Sequence, residues 1–133
     1  MTIRSSAAKR KKKAAESTQI HAIRDAVARR DYRGCRACIC GVPRDPRALS
    51  VLEWAHLGEH RRFKTVGMAP EDRHTTEGSM MLCQYHHHAY DTHRMQIELG
   101  PLGGDGPVLF SFKQPMGVVR YPERGWSSPA VHL

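Results

Sequence analysis

Two short pairs of potential ligands, Cys35-x-x-Cys38 and Cys83-x-x-His86, constrain this chain more than any other feature. Three thiols and one imidazole form the donor set that closes a tetrahedral structural zinc site. Tying the pairs together would also close the 44 residues between them into one loop. A chain of 133 residues is one domain with tails. A core this small commonly relies on a metal or on disulfides. Cys35, Cys38 and Cys40 crowd together and no signal peptide is recognisable, so a metal in a reducing, cytoplasmic compartment is expected rather than disulfides. Cys40 precedes Gly41 and is the alternative to Cys38; the two-residue spacing favours Cys38. No apolar run is long enough to span a membrane.

The formal charge is +8, and its distribution matters more than its sum. Residues 1–33 carry ten Lys or Arg against three acids, whereas the remainder is nearly balanced. The excess peaks at Lys9, Arg10, Lys11, Lys12 and Lys13. A basic arm of this kind suits a polyanion such as DNA, and those five residues are the candidate nucleic-acid contacts. Repulsion between adjacent cations predicts a disordered arm over 1–13.

An N-terminal helix is expected over 14–33, because Ile20, Ile23 and Val27 recur at spacings of three and four; Gly34 would end it. The core would then occupy 34–99. Pro43, Asp45 and Pro46 mark a loop, and Ala48–Leu57 reads as a strand. A long functional loop follows over 58–78, with a short strand over Ser79–Leu82 and a helix from Gln84 to about Arg94. In the region 100–133, the Gly/Pro-rich turn 100–106 joins Met95–Leu99 to Val108–Lys113 as a C-terminal β-hairpin, and residues from Tyr121 onward form a loosely attached tail.

A second site shares the helix that begins at Gln84. His87 and Asp91, at i and i+4, lie on one helix face and can share a metal separate from the zinc. His88 points about 100° away from His87 and is expected at the surface. His56, in Glu53-Trp54-Ala55-His56-Leu57, lies between the two zinc pairs in sequence, so zinc closure would bring its strand back towards this helix. A neutral imidazole can take a proton from water, and a divalent cation can neutralise charge on a phosphate and on a departing oxygen. Together these describe phosphodiester hydrolysis.

The order Cys-x-x-Cys, Ala55-His56-Leu57, Leu82-Cys83-x-x-His86-His87-x-x-x-Asp91 resembles the zinc-containing, phage-type branch of the HNH, or ββα-metal, endonucleases, over about residues 29–93. Asp72-Arg73-His74-Thr75 is similar to a motif of phage recombination-enhancement nucleases. The resemblance implies an α+β fold: a small zinc-stapled ββα-metal core with an N-terminal helix and a C-terminal β-hairpin. It implies a metal-dependent DNA endonuclease or nickase in a bacterial or phage-infected cell. His56 would be the general base. His87 and Asp91 would hold Mg²⁺ or another divalent cation. Cys35, Cys38, Cys83 and His86 would hold structural Zn²⁺. Products would end in 5′-phosphate and 3′-hydroxyl. Two positions depart from the family pattern. Ala55 stands where a metal-binding Asp or His is usual, and the middle Asn falls on Gly78, beside Ser79. His74, His60, Glu53 and Ser79 are the candidates to compensate, His74 first and Ser79 as a further support. A catalytically inactive, zinc-stabilised DNA-binding module is the alternative.

Overall fold

The computed structural model describes the backbone of residues 2–57 and 75–127, and the side chains of that set other than 2–14 and 16. A single helix, α1, runs from Thr2 to Arg30. It passes through the segment expected as a disordered arm, without a break near residue 13. Ala7, Ala8, Ala14 and Ala15 among lysines make this a sequence of strong helix formers. The side chains of Lys9–Lys13 lie outside the described residues. Arg29 and Arg30 occupy the last turn, where cations favour the helix dipole. The helix stops before residue 33 because Tyr32 and Arg33 take left-handed conformations, φ 56° and 54°. The Arg33 N–H then donates to the Ala28 carbonyl at 2.7 Å.

The chain turns directly into α2, Arg36–Cys40, a single helical turn that holds the first cysteine pair. The Cys35 sulfur caps it by accepting the Cys38 N–H at 3.5 Å. Gly41 closes it at φ 93°, a conformation that costs glycine little. Strand β1, Leu52–His56, pairs antiparallel with β2, Ser79–Cys83, in the register Leu52↔Cys83 to His56↔Ser79. Strand β2 leads straight into α3, Gln84–Asp91. Every residue of β2 is buried. Alternation along the pair turns Glu53, Ala55 and Leu57 with Met80 and Leu82 to one face, and Trp54 and His56 with Ser79 and Met81 to the other. Ala55, Leu57, Met80 and Leu82 join Ala89 of α3 in the core.

The expected C-terminal hairpin is present and larger than anticipated. β3, Met95–Gly100, pairs with β4, Gly103–Gln114, and β5, Gly117–Pro122, adds a third antiparallel strand. The segment from Tyr121 is therefore not a loose tail up to residue 127. Glu123 anchors it: its carboxylate accepts the Val108 N–H at 2.9 Å, Arg36 Nη2–H at 2.6 Å, and the Arg36 Nε–H shared between its two oxygens at 3.1 and 3.0 Å. Phe110 and Phe112 of β4 carry the aromatic part of the core, fully or almost fully buried.

The two sheets meet where β4 begins. Gly104 N–H donates to the Glu77 carbonyl at 2.6 Å. A Cβ on Gly103 would lie 2.5 Å from that carbonyl oxygen, and one on Gly104 would lie 2.7 Å from the Ser79 carbonyl oxygen. The approach leaves no room for a side chain. An ionic network secures the same seam. Arg30 donates to the carbonyls of Thr76 (2.5 Å) and Ser79 (2.7 Å) and to Asp31 and Asp105. Buried Asp31 accepts the Met81 N–H at 2.8 Å, capping the free edge of β2.

Candidate metal centre

The Cys-x-x-Cys turn of α2 and the β2–α3 junction bring four ligand atoms together: the sulfurs of Cys35, Cys38 and Cys83 and Nδ1 of His86, all within 4.8 Å of one another. Nδ1 lies 3.3 Å from Cys35 Sγ and 3.4 Å from each of the other two sulfurs. Cys38 and Cys83 Sγ are 3.9 Å apart. A tetrahedron drawn with zinc–sulfur and zinc–nitrogen bonds has edges of about 3.8 Å between sulfurs and about 3.6 Å from sulfur to nitrogen. The donor set and its spacing fit Zn²⁺.

The imidazole is oriented from behind. His86 Nε2 donates to the Pro43 carbonyl at 2.9 Å, which places the proton on Nε2 and leaves the Nδ1 lone pair facing the three sulfurs. Burial holds His86 below its ordinary pKa, the direction that keeps it neutral and able to ligate. Burial pushes the Cys35 and Cys38 thiols up, and the neighbouring thiols push Cys38 further. Without a metal these thiols stay protonated; a bound cation would replace the protons. Cys40 stands apart and turns its thiol to the Tyr121 carbonyl at 3.4 Å. Of the two cysteines that the spacing left as alternatives, Cys38 is the one in the cluster.

The second set lies on the outer face of α3. His87 Nδ1 is 2.9 Å from Glu53 Oε1, and His87 Nε2 is 3.7 Å from Asp91 Oδ2. These side chains are partly exposed, whereas Cys35, Cys83 and His86 of the cluster are buried. His87 and Asp91 share a helix face as their spacing requires, and β1 contributes Glu53. Among the described residues, the cysteine–histidine cluster is the one group of three or more such ligands drawn tightly together. His56 stands at the loop end of β1, opposite Ser79 and on the other face from Glu53; its ring lies 4.7 Å from that of Trp54. Ser79 is buried and its hydroxyl donates to the Thr75 carbonyl at 2.7 Å, a structural bond. His74, ranked first to complete the site, and His60 fall outside the described residues. Of the compensating candidates among the described residues, Glu53 meets His87 and Ser79 does not.

Two features escaped the sequence. Pro43 carried only a loop signal, yet its carbonyl orients His86 in the cluster. The Arg30–Asp31 and Arg36–Glu123 network joins residues up to 87 positions apart, and no local pattern announces it. Comparison with protein-family models, characterised proteins and solved structures gave no match. Fold and site thus define an α+β domain with small antiparallel sheets, built around a Cys₃His cluster compatible with zinc.

Proposed function

We propose that this protein is a metal-dependent DNA endonuclease or nickase of the HNH, ββα-metal type. The observation that carries the reading is the pairing of His87 with Asp91 on the exposed face of the helix whose first turn supplies His86 to the zinc cluster. The strand–strand–helix order of β1, β2 and α3 agrees with it. In this reading Cys35, Cys38, Cys83 and His86 hold zinc as a staple, and His87 and Asp91 hold a second, weakly bound divalent ion. An imidazole nitrogen and a carboxylate, with water and phosphate completing the shell, suit Mg²⁺ or Mn²⁺. Such an ion would neutralise charge on the scissile phosphate and the departing oxygen. His56 would serve as the general base of this reading; alternation along β1 turns it to the face away from Glu53 and His87, so the attacking water would have to reach it around the loop end of the hairpin. Lys9–Lys13 on α1 neutralise backbone phosphates without reading sequence.

Plasmid nicking in Mg²⁺ or Mn²⁺ tests this. Wild type should nick, and His56→Ala should lose on the order of 100-fold or more. Equal rates for the two would remove His56 as the base. The second reading, an inactive DNA-binding module, is favoured by Ala55. Its fully buried methyl packs in the core on the face towards α3, where the family resemblance implies a ligand. That module would bind DNA and leave it intact in every divalent metal.

A further inference from the structure

We infer that Glu53 is the positioning residue of the second metal site: it fixes the tautomer of His87 so that Nε2 is presented to the ion beside Asp91. This rests on the nuclease reading for its purpose, but not for its geometry. A carboxylate accepts hydrogen bonds, so the 2.9 Å contact between Glu53 Oε1 and His87 Nδ1 requires the proton on Nδ1. A neutral ring then carries its lone pair on Nε2, the nitrogen turned towards Asp91. The 3.7 Å from Nε2 to Asp91 Oδ2 exceeds a hydrogen bond. Two donors each about 2.1 Å from one Mg²⁺-sized ion stand about 3.0 Å apart at right angles and about 4.2 Å apart when opposed. The observed gap matches neither spacing, so the exposed Asp91 side chain would shift by under about 1 Å to complete either one.

The two carboxylates meet opposite nitrogens of one ring, so they play different parts. Asp91 can share an ion with His87. Glu53, on the far side, cannot join the same ion through that contact; it orients the ring. This also accounts for the position two residues before Ala55. Glu53 and Ala55 face the same side of β1, so an acid that cannot act as ligand at residue 55 acts through His87 from residue 53. The zinc site repeats the device with a neutral acceptor, since the Pro43 carbonyl takes the Nε2 proton of His86. Adjacent histidines thus use opposite nitrogens, His86 its Nδ1 and His87 its Nε2.

The test measures tautomer and metal affinity on zinc-loaded full-length protein, apart from any cleavage. Nitrogen-15 NMR at pH 8 should show His87 protonated at Nδ1, and Glu53→Ala should move the proton to Nε2. Manganese titration followed by electron paramagnetic resonance should show affinity weakened about 10-fold or more in Glu53→Ala. Glu53→Gln should recover part of it, because the amide oxygen still accepts the Nδ1 proton. Zinc content should be equal in all three. A wild-type His87 protonated at Nε2, or doubly protonated between its carboxylates, overturns the assignment. So does unchanged manganese affinity in Glu53→Ala, or absence of manganese binding in wild type. If tautomer and affinity behave as expected while wild type never nicks DNA, Glu53 keeps its role and the nuclease reading falls.

Discussion

Each ligand of the zinc cluster depends on one local hydrogen bond or turn, so single substitutions there should act out of proportion to their size. Cys83→Ser should release zinc and unfold the domain, whereas Cys40→Ser, which alters a thiol outside the cluster, should keep full zinc content and a Tm close to wild type. Metal analysis with thermal melting reads both; equal melting of Cys83→Ser and wild type would contradict the structural role. His86 gives the pH dependence. Burial lowers its pKa from the usual value near 6.5, so its contribution to stability is complete above that value and is lost as pH falls through the folded pKa. Tm and zinc retention should therefore both fall between pH 7 and pH 5. A flat Tm over that range would count against a neutral, buried His86. The ligands were legible because spacing encodes them: the i to i+3 pairs sit in one turn each. Glu53 was legible only as one candidate among four, since its meeting with His87 depends on strand register.

Among the elements, β2 does the most positioning. It is covered on every side, pairs with β1, ends in Cys83 and becomes α3 without a loop. Its free edge is closed by Asp31 from α1, and its neighbour Gly104 holds the second sheet against it. Gly104→Ala should destabilise the domain by about 1–3 kcal/mol, because the new Cβ meets backbone that cannot rotate away. Glu123→Ala should cost about 2 kcal/mol through lost charged hydrogen bonds and should loosen β5. Denaturant titration measures both; values near zero would mean that the seam is not what joins the sheets. Strands β1, β2 and β3 were readable from short apolar runs. Strand β5 was not, because Val118, Val119 and Arg120 are exposed and show no alternation. What makes it a strand is the sharp reversal that Gly117 allows at its first position and the remote grip of Arg36 on Glu123.

At the scale of the whole molecule, charge and chemistry occupy different ends of the sequence. The basic stretch belongs to the long helix α1, while the Cys₃His cluster and the proposed second site lie around α3. Removing residues 1–13 should weaken DNA binding and flatten its dependence on salt, because fewer counterions are released, while zinc content stays unchanged. Binding measured at several salt concentrations would show an unaltered slope if the arm takes no part. The α+β class and the Cys₃His cluster follow from the sequence; the continuity of α1 and the ionic seam between the sheets depend on contacts across the chain. The central claim is that adjacent histidines serve two separate metals. Zinc content and manganese binding measured together on wild type, His86→Ala and His87→Ala test it directly. His86→Ala should lose zinc, and His87→Ala should keep zinc while losing manganese. Loss of zinc from His87→Ala, or full manganese binding by it, would contradict the account.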